Sequence, residues 1–591
     1  MSQEKAKKNK IDFTLLSRVL ELAKPYQLLF IFSGFLAIIL APLGVLTPYL
    51  IQQTVDKHIL GMDSSGLLRM MFILTAVLII RSVLQYIFIY STNLLGQSVI
   101  RDLRVKVFRQ ISSLKLTYFD TTPIGTSTTR TINDIETINS VFSKGVITIV
   151  ADVLSLIVVL VIMLNTSWRL TLICLVTFPF LLISTYIFKE KVKTAYQIVR
   201  TQISTMNAFL QEHITGMRMV QIFNAEDREM KRFKKINREY TQANLDTILY
   251  YAVYFPVIEI ISAASLGLMI WYGARGVIGG EVTLGLLIAF PLYLNMLFRP
   301  MRMLADKFNT LQMGLIAAQR VFDVLDRTDK IKNTGTLKPK RLEGKLEFDH
   351  VRFAYVENDW VLKDLSFELE AGKTLAIVGS TGSGKTTIIN ILNRFYDIQE
   401  GQILIDDQDI QNFDLDAMRR RIGVVLQDVF LFSGSVFENI TLRDESIARE
   451  KVIEAAKMIG AHEFIMKLPD GYDYQVMERG ATLSMGQRQL ISFVRALVFD
   501  PDILILDEAT SSIDPETESV IQFAIETLIA KRTSIIIAHR LSTIRHADKI
   551  MVLKKGEIQE LGSHKELLQN ESGHYKELYE MQFVQREQLQ E

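Results

Sequence analysis

The chain has 591 residues, is 49% hydrophobic and carries a formal net charge of +1. That length predicts several domains, and the balanced charge excludes a basic nucleic-acid surface or an acidic partner as its organising feature. Its one cysteine, Cys174, excludes an internal disulfide and a cysteine-held zinc cluster.

The apolar residues are unevenly spread: long, sparsely charged runs fill the first half, and the second half alternates like a soluble α/β protein. The basic start, MSQEKAKKNK, has no short apolar core and cleavage site behind it, so no secretory signal is expected. Residues 1–27 form a first segment. Within it, IDFTLLSRVLELAKPY sets Phe13, Leu16, Leu20 and Ala23 on one side, as either an interfacial helix or an ordinary capping helix does.

Residues 28–325 read as an all-α membrane domain. Six stretches are long enough to cross a bilayer, near 28–51, 68–91, 145–164, 170–188, 250–274 and 283–304. Lys57, Arg169 and Arg275 are the sparse positive charges of three connections. The other two connections are rich, one running from Arg101 to Lys144 and one from Lys189 to Arg238. The rich loops are expected on the cytoplasmic side, together with both termini. Apolar residues at three- and four-residue spacing in RDLRVKVFRQISSL and NAFLQEHITGMRMVQIFNAEDREMKRFKKINREY predict that the spans continue as cytoplasmic helices. Arg81, Asp152 and Glu259 are ionisable groups in or near spans, where a charge either faces a cavity or lies beyond the bilayer. Tyr251, Phe255 and Phe290 suit an apolar cavity, and equally lipid or helix packing.

Residues 326–344 read as a linker, and 345–591 as an α/β domain with a C-terminal helical tail. At TLAIVGSTGSGKTTIINIL an apolar strand runs into a glycine-rich loop and then a helix, matching the phosphate-binding pattern at Gly379, Gly384, Lys385 and Thr386. The loop Gly379, Ser380, Thr381, Gly382, Ser383, Gly384 wraps phosphates with backbone N–H groups. Lys385 brings a positive charge, the Thr386 hydroxyl holds Mg2+, and Thr387 follows in the cradle. DILILDEATSSID is a buried strand ending on Asp507, expected to support Mg2+, and on Glu508, expected to polarise the attacking water. TSIIIAHR ends on His539, within reach of a γ-phosphate, and Gln427 follows the strand of IGVVLQ and reaches toward metal or water. ATLSMGQRQL opens a further helix, so Ser484 and Gly486 sit at a second anion-favouring end.

The order of phosphate loop, Gln427, LSMGQ, ILILDE, SSID and His539 resembles the ATP-binding cassette (ABC) transporters of exporter type, with six spans fused to one cassette, over nearly the whole chain. The resemblance implies that two cassettes pack head to tail and that Ser484, Gly486 and Gln487 cap the ATP held by a partner chain. It implies that Tyr355 stacks on adenine, that Asp514 meets the opposite cassette, and that VMERG touches membrane-domain helices. YFDTTPIGTSTTRTINDIETI and ITGMRMVQIFNAED then resemble the loops that couple cassette and spans. The implied activity is ATP-driven export of a hydrophobic or amphipathic drug, lipid or peptide across a membrane such as the bacterial inner membrane. Met485 replaces the usual first glycine of LSGGQ, which leaves open a homodimer, slightly favoured, or one subunit of a heterodimer with one weak ATP site. An importer or a regulator of the same architecture is also open.

Overall fold

The computed structural model describes residues 12–507, 515–538 and 544–580. Two compact units emerge. The first comprises the residues up to Ser112 and from Thr122 to Thr328; the second comprises Ser113–Thr121 and the residues from Asp329 on.

The first unit is helical. Among the described residues, five helices are long and apolar enough to cross a membrane: Lys24–Ile59, Ser64–Ser112, Ile124–Thr166, Trp168–Thr215 and Glu226–Ile278. The helix Ser64–Ser112 has 49 residues; at 1.5 Å per residue it is roughly 74 Å long, more than twice a bilayer's hydrocarbon core. In its most apolar window only 6% is buried. Apolar surface left that open is stable against lipid and not against water.

Two expected spans differ in detail. The stretch 170–188 is broken: one helix ends at Leu175 and the next runs Phe178–Thr215. Pro179 lies in the first turn of the second helix, where its missing N–H costs least, and it withholds a hydrogen bond from the turn that would join the two helices. The sixth stretch is short, its apolar part being Leu284–Pro300 within the helix Leu284–Leu325, where Arg299 brings charge to its end. Of the ionisable residues flagged in the spans, Asp152 is neutralised by an ion pair with Lys307. The N-terminal helix Phe13–Glu21 is capped by Asp12, whose carboxylate accepts from the N–H groups of Thr14 and Leu15. Its Arg18 pairs with Asp326 and lies 4.1 Å over the Phe322 ring.

The second unit holds two main sheets. An antiparallel one has the order Trp360–Leu369, Leu346–Ala354, Glu400–Ile405, Gln408–Asp409. The other has the order Glu557–Gly562, Lys549–Lys554, Thr374–Val378, Thr533–Ile537, Ile503–Asp507, Ile422–Val425, parallel except at Glu557–Gly562. Its three central strands, Thr374–Val378, Thr533–Ile537 and Ile503–Asp507, are buried at every position because both faces are covered. Leu375, Ile377, Ile503, Ile505, Ile535 and Ile537 enter one core, while Ala376, Val378, Leu504, Leu506 and Ile536 enter another. The second core is completed by the helices Val436–Thr441, Arg449–Met458 and Met485–Phe499, which form a helical subdomain beside the sheet.

Candidate nucleotide site

The sheet register lines up the site. Ile537 pairs with Ile377 and with Asp507, and Leu506 pairs with Val425. Four parallel strands therefore end at one level, and the residues that follow them lie along one rim. The phosphate loop follows Val378, Asp507 closes its strand, and Gln427 comes two residues after Val425. This is the carboxyl edge at which open α/β sheets bind ligands. Glu508, His539 and Asp514 lie outside the described residues.

Backbone requirements explain the loop's composition. Gly379, Gly382 and Gly384 have φ of +157°, +81° and +109°, and a Cβ on Gly379 would lie 2.2 Å from the Leu553 carbonyl oxygen. Side chains there are both strained and obstructed. The loop feeds the helix Lys385–Leu392, whose first turn has N–H groups without helical partners. Ser383 is 2% exposed, and its Oγ is buried with no hydrogen-bond partner among the described residues. A buried hydroxyl left so is costly unless a ligand oxygen meets it, so the residues fit a phosphate chain. Lys385 Nζ donates to the carbonyl oxygens of Gly379 at 2.8 Å and Ser380 at 3.0 Å. Thr381 and Thr386 are exposed at this loop, and Thr387 is buried beneath it.

Charge is partly withdrawn from water here. Burial pushes the Lys385 ammonium below its ordinary pKa, an effect that the charge of Asp507 opposes. Burial pushes the Asp507 carboxyl above the usual carboxylate range; Lys385 pulls it back and Asp428 adds to the rise. Two desolvated groups of opposite charge thus stand near each other on the rim. Tyr355 is 42% exposed, with its hydroxyl donating to Thr387 Oγ1 at 3.3 Å and accepting from Asn390 Nδ2 at 3.1 Å. Its ring packs edge-on against Phe353 and Tyr396, which hold it upright beside the loop.

The LSMGQ segment forms a second, separate helix start. Ser484 is the N-cap of Met485–Phe499: its Oγ accepts from the Gln487 N–H at 3.2 Å, and Gln487 Oε1 accepts from the Ser484 N–H at 3.0 Å. This reciprocal capping box fixes the turn. The Arg488 N–H goes to the Ser484 carbonyl. Among the described residues, the N–H groups of Met485 and Gly486 have no hydrogen-bond acceptor, as the first turn of a helix leaves them. Ser484 is exposed and Gly486 is buried.

Comparison with known proteins decides the family. The model described as ABC transporter transmembrane region matches residues 30–301, and the model described as ABC transporter matches residues 362–511. The chain is similar to the ABC transporter ATP-binding protein YknV of Bacillus subtilis, 39% identical over 93% of this chain and 92% of that one. It is similar to an ATP-dependent lipid A-core flippase of Syntrophus aciditrophicus, 35% identical over 96% of this chain and 94% of that one. A Staphylococcus aureus protein named for multidrug export, ATP-binding/permease, is 37% identical over 96% of this chain and 100% of its own length. The chain belongs to the ABC transporter family. This ABC transporter is an integral membrane protein and an ATPase coupled to transport. With one membrane domain and one cassette it is a half-transporter, an architecture that implies a dimer.

Within the transporter's cassette, the structure brings together residues that the motifs alone leave apart. Gln427, Asp428 and Val429 share a cavity of about 160 Å³ with Arg479, Met485, Arg488 and Gln489. Met485, the unusual residue of the signature, thus lines the same cavity as Gln427 of its own chain. Gln489 is 4% exposed, and its Oε1 has no partner among the described residues. Arg488 Nη1 donates to the carbonyl oxygens of Leu483 and Gly480, tying down the loop that precedes the signature. Asp428, Arg488 and Gln489 carried no motif signal.

A further feature is Ser113–Thr121, whose last residues open the YFDTT segment that resembles a coupling loop: it interrupts the membrane domain in sequence yet belongs to the cassette's unit. Lys115 Nζ meets Asp397 at 2.7 Å, and the Tyr396 hydroxyl donates to Asp120. Because Tyr396 also touches Tyr355, the segment lies two side chains from the proposed adenine platform.

Proposed function

We propose that this half-transporter pairs with a second copy of itself and exports a hydrophobic or amphipathic compound by alternating access. The observation that carries most weight is the placement of two anion-favouring ends on one cassette. The phosphate loop with Lys385, Asp507 and Gln427 makes one. The capped but exposed start at Ser484 makes the other, and nothing in the loop's own chemistry requires it. A second copy gives that end a use: Ser484 and the amides of Met485 and Gly486 would complete the γ-phosphate site of the partner's ATP. ATP then favours the closed pair over the open one, which is the differential affinity a ligand-driven switch needs.

In this reading Gly379 to Thr387 hold the triphosphate, with Lys385 on the β- and γ-phosphates, while Tyr355 stacks on adenine. Thr386, Asp507 and Gln427 would hold Mg2+, which when bound draws charge from the transferring phosphoryl oxygens. Glu508 orients and deprotonates the attacking water, and His539 contacts the γ-phosphate. Hydrolysis and product release reopen the pair. The multidrug and lipid-flippase names of the relatives support an amphipathic cargo, and the apolar, lipid-facing helices suit one that partitions into the bilayer. The positive connections support cassettes on the cytoplasmic side of a membrane such as the bacterial inner membrane.

The test uses inside-out vesicles with the cassettes outward and a fluorescent amphiphile. ATP is expected to drive the dye into the lumen, and Glu508→Gln to lower the rate by at least about 100-fold while ATP binding persists. ATP-dependent depletion would mean uptake, and turnover that survives in Glu508→Gln would remove Glu508 from its assigned role.

A further inference from the structure

The helices Phe178–Thr215 and Glu226–Ile278 are joined at their ends by a histidine whose two ring nitrogens both face acceptors. His213 is in the last turn of the first helix, and Glu229 is in the first turn of the second. His213 Nε2 lies 3.0 Å from Glu229 Oε2, and His213 Nδ1 lies 2.8 Å from the Phe209 carbonyl oxygen. The Phe209 ring covers the imidazole, with centroids 3.8 Å apart and planes 16° from parallel. The His213 and Glu229 side chains are 15% and 12% exposed, so the pair is largely withdrawn from water.

A carbonyl oxygen and an ionised carboxylate can only accept. Both ring nitrogens must therefore donate to satisfy them, which the imidazolium does and a neutral ring does not. Glu229 stays ionised: hydrogen bonds from Arg228, His213 and Arg232 hold its carboxyl down at about 2. Arg228 and Arg232 reach the pair through Glu229, at 3.1 Å and 2.9 Å, and Arg232 also lies 5.9 Å over the Phe209 ring. Glu212, Arg218, Glu226 and Asp227, the other charged residues at this end of the hairpin, are exposed and form no ion pair among the described residues. The helix dipoles favour the same arrangement, a cation where one helix ends and an anion where the next begins.

Between the two helices lies the tip that resembles a coupling loop. It holds the short helix Met217–Ile222, and Met219, Ile222 and Phe223 are exposed on it. We propose that His213 and Glu229 form a proton-operated latch at the base of this tip, closed by the imidazolium and loosened when the ring loses its proton. Closing takes up a proton, so the latch is made at the acid end of the range in which histidine titrates and weakens as pH rises. Cytoplasmic pH then sets how stiffly the tip transmits force. The latch itself needs neither ATP nor cargo; only the use of the tip rests on the export reading.

Hydrogen–deuterium exchange on the full chain in nanodiscs without nucleotide tests the latch, with rates corrected for the direct effect of pH on amide exchange. From pH 6 to pH 8, corrected exchange over residues 216–225 is expected to rise about tenfold in wild type. His213→Gln is uncharged at both pH values and is expected to exchange fast at both. His213→Lys is charged at both and is expected to exchange slowly at both, each variant changing by less than about twofold. Wild-type exchange that does not change between pH 6 and pH 8, or a rise that survives in His213→Gln, would overturn the latch. Dye accumulated per ATP hydrolysed, in the vesicles described above, tests its use. That ratio is expected to fall about threefold over the same range in wild type and to stay level in His213→Lys. A level wild-type ratio would remove the regulatory role even where exchange follows His213. No accumulation at either pH would sink export, and exchange would still decide the latch.

Discussion

Lys385→Ala is expected to abolish ATP binding at working concentrations and to lower ATPase turnover by at least about 100-fold, read by nucleotide filter binding and phosphate release in nanodiscs. The ammonium is held above the loop by two carbonyl oxygens, at 2.8 Å and 3.0 Å. Those are neutral acceptors. A triphosphate offers charged ones, so binding exchanges two ordinary hydrogen bonds for stronger charge-assisted contacts. Burial already disfavours the ammonium, which makes an arriving anion more stabilising than it would be in water. Alanine removes the charge and leaves the loop's backbone unaltered, so a fold-wide loss is not expected. Binding within about twofold of wild type would show that the loop's amides suffice and that Lys385 has no part in nucleotide affinity.

Asp507→Asn is expected to split stability from activity. Asp507 is 9% exposed, and its carboxyl pKa is raised, even with Lys385 counted in. A raised pKa means that the fold prefers the protonated form. The stability it contributes is present below the unfolded-state pKa and is lost as pH rises through the higher folded-state pKa. Above that pH the ionised carboxylate is a net cost to the nucleotide-free protein. Asparagine keeps the shape and removes the charge. The variant is therefore expected to melt at a higher temperature than wild type at pH 8 without nucleotide, and to match it more closely as the pH falls. The same change removes a proposed Mg2+ ligand, so turnover is expected to drop by at least about 100-fold and MgATP to raise the melting temperature less than in wild type. A variant that melts lower at every pH would mean that Asp507 serves the fold through its pairing with Lys385.

These residues also show what could be read in advance. The loop Gly379–Lys385 was legible because glycines between an apolar strand and a helix have few other uses. The N-cap at Ser484 was legible because serine followed three residues later by glutamine is a capping box. Periodicity found the long helices, since their apolar residues repeat over many turns. It did not find the break before Phe178, because the apolar run is unbroken in sequence and prolines elsewhere, such as Pro42 and Pro256, sit inside continuous helices. Tyr396 and Gln489 were not legible for a different reason: each acts through partners far away in sequence, Asp120 for one and the Gln427 cavity for the other. The resemblance of YFDTT to a coupling loop pointed at Tyr118–Thr121, and tertiary packing is what extends the cassette's unit back to Ser113.

The central claim is that Lys385 of one chain and Ser484 of the other serve the same ATP. Mixed dimers carrying two tags test it directly, with ATP retained per purified dimer as the readout. When Lys385→Ala is on one chain and Ser484→Arg is on its partner, both lesions fall in one composite site and the other stays whole, so a single retained ATP per dimer is predicted. When both substitutions are on the same chain beside a wild-type partner, each composite site carries one lesion and no ATP is retained. The opposite pattern, with ATP kept when both lesions share a chain and lost when they are divided, would mean that each cassette completes its own site and would contradict the account.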